Sequence, residues 1–355
     1  MLVLGEIFIR ITNIPGVDKG THYTIDPLLG YGDIPYQTLY YCNERGDKVR
    51  RIFNSYGYLD ADHKKEKRSY RIGFFGDSYV EARQVPLENT FFRITEKSLK
   101  DYKVECLAFG RESGGTLTAY LNSVRWTHYF DLDLIVYVFC ENDLGDNIKA
   151  IKEKTAPYFP FAYLADDGYG IDYSNRDKLI AYSHTISYKI KAFISKHFLV
   201  SRLIKNRMQL LRNYGLKFKV SQKHISMSSE AEDMDRKAAN PDQNDPPSAW
   251  PLYLKEYAEK LDGAIILKWK VEAERDSKKF AIFYVPSQAQ KALDTKKQDS
   301  WKNWLELFCR DENIVFIDPT QDLIKAEISG KDIFYDHFTI YGHKAFSDSF
   351  VKWFK

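Results

Sequence analysis

Four short polar blocks in this chain hold side chains suited to acyl-transfer chemistry. Gly76-Asp77-Ser78 offers a hydroxyl, and Ser113-Gly114-Gly115-Thr116 offers small residues with accessible backbone donors. Glu141-Asn142-Asp143 adds a side-chain amide, and Asp336-His337, followed by Gly342-His343, adds an imidazole beside a carboxylate. A serine is a weak nucleophile until a base takes its proton, and attack on an ester builds a negative oxygen that needs preorganised donors. Hydroxyl, imidazole, carboxylate and amide are the parts of such a site. They are far apart in sequence, so the elements that carry them decide whether they meet.

Those elements alternate in type. Arg71 to Phe75, Val104 to Phe109 and Leu134 to Cys140 are short apolar runs with the length of buried strands. Pro86–Lys100 and Thr116–Phe130, between them, carry helical periodicity. Later, Lys279–Val285 and Asn313–Ile317 read as strands, Gln298–Arg310 as a helix, His343–Phe354 as a closing helix, and Pro251–Asp276 as a long helix leading back to the sheet. Alternating strands and helices predict a parallel α/β sheet. In such a sheet the ligand site lies beyond the carboxyl ends of the strands, which is where the blocks fall.

The blocks resemble those of the SGNH/GDSL hydrolases. Gly76-Asp77-Ser78 is similar to the family's nucleophile block, Ser113 to Thr116 to its glycine block, and Glu141-Asn142-Asp143 to its GxND block with Glu in the glycine position. His337-Phe338-Thr339 with Gly342-His343 resembles the last block. The resemblance spans roughly 71–150 and 265–355. It implies a flavodoxin-like three-layer α/β fold, with 1–70 as an N-terminal β/loop extension and 151–264 as a helical insertion holding a polar loop at 221–248. It also implies a serine esterase or acyltransferase, without a cofactor or a metal, acting on a small acyl group such as acetyl on a carbohydrate. The first 70 residues resemble the leader of an envelope-associated bacterial subgroup found in polysaccharide systems.

Carried over residue by residue, the resemblance makes Ser78 the nucleophile and His337 the base. The backbone N–H groups of Ser78 and Gly114 and the Asn142 amide become the oxyanion hole. The family's orienting Asp lies two or three residues before the His, where this chain has Tyr335 and Phe334. Asp336 is adjacent and Asp332 is five residues before; we assign Asp336, with a Ser-His dyad aided by a backbone carbonyl as the other arrangement. There is no GxSxG elbow, because Val80 stands where its last Gly belongs. A second class of reading is a non-catalytic polysaccharide-binding or assembly component that keeps the fold.

Composition narrows the rest. The 355 residues hold 52 Lys+Arg against 49 Asp+Glu, a balance of +3 that predicts no nucleic-acid partner. With 44% hydrophobic residues and 15% aromatic ones the chain is not disordered as a whole, and no apolar run reaches the length of a membrane span. Gly114-Gly115 is followed by no P-loop Lys, which argues against nucleotide binding. Four cysteines at 42, 106, 140 and 309 form no metal-type pair, and Cys106 and Cys140 read as core. Met1 to Ile11 is too short for a signal peptide or a span, and fits equally the trailing edge of a longer anchor. Charge is unevenly spread: Ser187 to Lys219 carries nine Lys/Arg and no acid, with apolar residues at helical spacing. That stretch predicts either a helix packing one face on the core, or contact with an anionic membrane surface or acidic polysaccharide.

Overall fold

The computed structural model describes residues 7–8, 23–42, 47–198, 250–286, 300–335 and 337–355. The extension forms two antiparallel hairpins, β1 (Tyr23–Asp26) with β2 (Gly30–Asp33) and β3 (Thr38–Cys42) with β4 (Lys48–Ile52). Next come β5 (Tyr70–Gly76), α1 (Ser78–Glu81), α2 (Phe91–Ser98), β6 (Val104–Gly110), α3 (Thr116–Trp126) and β7 (Leu134–Cys140). After α4 (Asp143–Asp146) and α5 (Lys149–Lys152), the hairpin β8 (Phe161–Ala165) with β9 (Gly168–Asp172) leads to α6 (Ser174–Ser183) and α7 (Ile186–His197). The chain returns through α8 (Leu252–Arg275), β10 (Lys279–Val285), α9 (Ser300–Asp311), β11 (Val315–Ile317), α10 (Thr320–Ile328) and α11 (Ile340–Phe354).

Five strands form one parallel sheet in the order β11-β10-β7-β5-β6. Read from the other edge by rank in the chain this is 2-1-3-4-5, the flavodoxin-like order. The order of strands reverses between β5 and β7, so the crevice of such a sheet lies at their carboxyl ends. Both faces of the sheet are covered, which explains why the strands are apolar throughout rather than alternating. On β7, Ile135, Tyr137 and Phe139 pack into one core with Trp269 and Leu261 of α8, while Leu134, Val136 and Val138 pack into the other with Phe346 and Phe350 of α11. Phe283 stacks on Phe346 at 3.6 Å between centroids, and truncating either ring would cost about 3–5 kcal/mol. The result is a three-layer α/β fold. Cys106 and Cys140 are buried in it, as their apolar neighbours predict.

The extension is held by apolar packing, with Leu29 and Tyr58 buried in the core that contains Trp269, and by charge. Arg125 grips Asp26 with two bonds of 2.6 Å, Arg111 pairs with Asp33, and Arg51 donates to the Ala82 and Val85 carbonyls at 2.6 and 2.9 Å. Sequence reading had no assignment for β8, β9 or α10. Only the start of the basic stretch is described, and there the packed-helix expectation does not hold: no residue from Ile186 to Ile194 is buried. Residues 199–219 and the polar loop at 221–248 lie outside the described residues. No helix among the described residues is long and apolar enough to cross a membrane.

Candidate active site

Ser78 is set by the end of β5. Asp77 turns the chain there, and its Oδ1 accepts the Tyr79 N–H at 2.9 Å, capping α1. Ser78 is the first residue of that helix, so its N–H has no intrahelical acceptor. The turn lies directly on the end of β6, where a Cβ on Gly110 would overlap the backbone of Val80 and Glu81. Only a residue with no side chain allows that approach.

His337 comes from a tight hairpin before α11. Phe334 bridges Phe338, the Tyr335 N–H donates to the His337 carbonyl at 3.0 Å, and the Thr339 N–H donates to the Ile333 carbonyl at 3.0 Å. The Thr339 hydroxyl then caps α11, accepting from Tyr341 and Gly342 N–H at 3.2 and 3.3 Å. The imidazole packs on Tyr79 with centroids 5.2 Å apart. Ser78 Oγ and His337 Nε2 stand 2.9 Å apart, a distance at which the hydroxyl donates to the ring.

The other expected members differ in placement. Asn142 lies beside the pair, and its Nδ2 donates to Asp77 Oδ2 and Asp146 Oδ2 at 3.1 Å each, so both amide protons are engaged. It stands at the N-cap of α4 without making a side-chain cap bond, which leaves the amide turned toward Asp77. Gly114 is on the expected loop, but its N–H donates to the Arg111 carbonyl at 3.0 Å, closing a turn in which Ser113 is left-handed at φ 60°. The oxyanion donors expected at Gly114 and Asn142 are thus bonded internally in this structure. Asp336 lies outside the described residues. Asp332 is exposed, and its Oδ2 accepts the Tyr335 hydroxyl at 3.2 Å.

Burial governs the acids beneath the site. It raises the Asp77 carboxyl, against hydrogen bonds from Tyr79 and Asn142 and the field of the nearby His337 ring. Asp143 fixes the end of β7 by accepting from the Tyr137 hydroxyl at 2.8 Å and the Cys140 N–H at 2.9 Å, and burial pushes its carboxyl far up. Thr116, expected in the glycine block, turns inward to Asp262 of α8, whose carboxyl burial pushes up to about 8. His343 is a packing residue: it lies parallel to Phe91 at 6.0 Å, accepts the Phe91 N–H at 3.3 Å, and is held down to about 3 by burial.

One neighbouring group has no counterpart in the sequence reading. Arg83 stands between Glu81 and Glu112, at 2.7 and 2.8 Å. Burial raises the Glu112 carboxyl, and Arg83 and His337 draw it down, so Glu112 and the imidazole feel one another. The Tyr31 hydroxyl of β2 donates to the Glu112 carbonyl at 3.3 Å, which ties the extension to the loop that bears Gly114. Arg83 and Glu112 are 29 residues apart and leave no periodic signal, and Glu81, Arg83 and Glu112 match no block. Among the described residues no group of three or more His, Cys, Asp or Glu could hold a metal ion.

No family model matches the chain, and no curated protein matches it. Solved structures do. An acetyl xylan esterase is 11% identical, over 79% of this chain and 98% of that one, with a TM-score of 0.38. A member of the lipolytic protein G-D-S-L family from Veillonella parvula is 12% identical over 80% and 97%, at 0.38. A catalytic mutant of an acetylxylan esterase from Geobacillus stearothermophilus is 10% identical over 81% and 95%, at 0.39. Likeness at this level assigns no chemistry, so the chemistry of the site rests on its own residues.

Proposed function

We propose that the chain is a serine ester hydrolase or acyltransferase that works through an acyl-enzyme on Ser78. The observation that carries this is the 2.9 Å contact between Ser78 Oγ and His337 Nε2 at the crevice of a doubly wound sheet. His337 takes the hydroxyl proton as Ser78 Oγ bonds to the ester carbonyl carbon. The carbonyl oxygen becomes an oxyanion, and the alcohol then leaves with the proton from His337. Water or a sugar hydroxyl attacks the acyl-enzyme next, with His337 again as base. The Ser78 N–H is one donor for the oxyanion. Gly114 and Asn142 join it when the bonds to Arg111 and to the two carboxylates exchange for the substrate, each such donor contributing about 2.7–4 kcal/mol.

A small acyl group such as acetyl on a carbohydrate is the substrate class that the family resemblance implies, and Asp336 is the acid we place behind His337. A second reading, a non-catalytic carbohydrate-binding or assembly component, is favoured by the internal bonding of Gly114 and Asn142. Turnover of p-nitrophenyl acetate decides between them. The first reading expects turnover that is lost in both Ser78→Ala and His337→Ala, together with covalent labelling of Ser78 by a fluorophosphonate. Equal rates in all three proteins and no labelling would leave the second.

A further inference from the structure

Helix α7 is the least enclosed helix of the described chain, and it is apolar on the outside. The Thr185 hydroxyl caps it by accepting the Tyr188 N–H at 3.2 Å. Its side chains Ile186, Ile190, Phe193 and Ile194 are 75, 54, 59 and 41% exposed. At about 100° per residue these four fall on one stripe roughly 100° wide. Lys189 and Lys191 flank the stripe on opposite sides, and the helix has no Asp or Glu. The Lys191 ammonium reaches the Tyr182 hydroxyl of α6 at 3.0 Å, and the Tyr182 and Tyr188 rings meet edge to face at 5.4 Å. An apolar strip, flanking lysines and phenols at the same level are the parts of a surface that is half apolar and half wet.

We propose that α7 docks on an anionic lipid bilayer, lying in the interface with the Ile186–Ile190–Phe193–Ile194 stripe among the acyl chains and its lysines at the headgroups. Twelve residues make a helix about 18 Å long, too short for a hydrocarbon core of about 30 Å, so it lies flat. Charge and polarity decide among the occupants. A second copy meeting this patch through a two-fold axis would bring lysines against lysines with no acid between them. An acidic polysaccharide would satisfy the lysines and leave three isoleucines and a phenylalanine in water. A bilayer with anionic headgroups takes both parts of the face. The proposal is independent of the chemistry at Ser78.

The test is sedimentation of the full chain with vesicles of phosphatidylcholine alone or with about 30% phosphatidylglycerol. Binding is expected only with the anionic lipid, falling about tenfold or more when salt rises from roughly 0.05 to 0.5 M. Ile190→Asp/Phe193→Asp and Lys189→Glu/Lys191→Glu should each weaken it at least about tenfold at unchanged thermal midpoint. Phe193→Trp supplies a readout that needs no loss: its emission should shift to the blue with anionic vesicles and be quenched by brominated lipid. Absence of binding at low salt overturns the proposal. So does undiminished binding by the Ile190/Phe193 variant, or a dimer in sedimentation equilibrium that Ile190→Ser disperses.

Discussion

Two polar clusters occupy opposite ends of β5 and β6, and they are built differently. At the amino ends, Arg71 of β5 donates to Glu105 at 2.7 Å and to the carbonyls of Lys64, Phe130, Lys65 and Glu66. His63 bridges Asp60 and Glu105 at 3.1 and 2.8 Å, and Asp60 also pairs with Arg93 and accepts the Ala108 N–H. Each charge there has an opposite neighbour. At the carboxyl ends Asp77 and Asp146 share one amide, Lys152 reaches Asp146, and Glu112 and Glu81 share one arginine, so four acids meet two cations. The balanced cluster pins the extension to the sheet. The unbalanced one lies around the Ser78–His337 pair, and burial raises the Asp77, Asp146 and Glu112 carboxyls there.

The sharpest way to break the comparison is at the serine. Ser78→Ala should lower p-nitrophenyl acetate kcat by about 10³-fold or more while leaving the urea midpoint nearly unchanged. At the opposite end the pattern should invert. Arg71→Met leaves four carbonyls without this donor and Glu105 with only His63 and Ser69, and should cost about 3–5 kcal/mol by urea denaturation.

The balanced cluster also makes a pH-dependent contribution. Burial pulls the His63 pKa down, but hydrogen bonds to Asp60 and Glu105 outweigh it and raise it to about 9. A His raised in the folded state stabilises fully below its unfolded value near 6.5, and that contribution disappears as pH rises through about 9. His63→Gln should therefore cost on the order of 3 kcal/mol near pH 6 and almost nothing above pH 9, read from paired denaturation curves. Smallest is Glu112→Gln, expected to lower kcat/KM about threefold with an unshifted thermal midpoint, because a half-exposed carboxylate is screened. A loss of stability instead would move Glu112 into the pinning class.

The sequence exposed the sheet well, for a physical reason. A strand covered on both faces must be apolar at every position, so Leu134 to Cys140 and Lys279 to Val285 stand out, and the observed strands have those same limits. The hairpin β8–β9 was missed because its residues are part-exposed and mix Tyr with Asp and Gly. The two blocks that the structure brings together, Ser78 at the end of β5 and His337 just before α11, stand out by their residue types. What could not be read was where hydrogen bonds go. Nothing in Ser113-Gly114 says that Gly114 N–H will turn back to Arg111, and nothing in Glu141-Asn142 says that the amide will bridge two carboxylates. Arg83 went unread for the same reason: its distant partner, Glu112, is brought to it by packing rather than spacing.

Ser78 and His337 touch although they are 259 residues apart in the chain. A ribosome adding about 5–20 residues per second therefore exposes Ser78 many seconds before His337 exists. Through that interval the hydroxyl has no imidazole partner. The Ser78–His337 contact is thus timed by synthesis: it forms only when the hairpin around His337 folds back onto Tyr79.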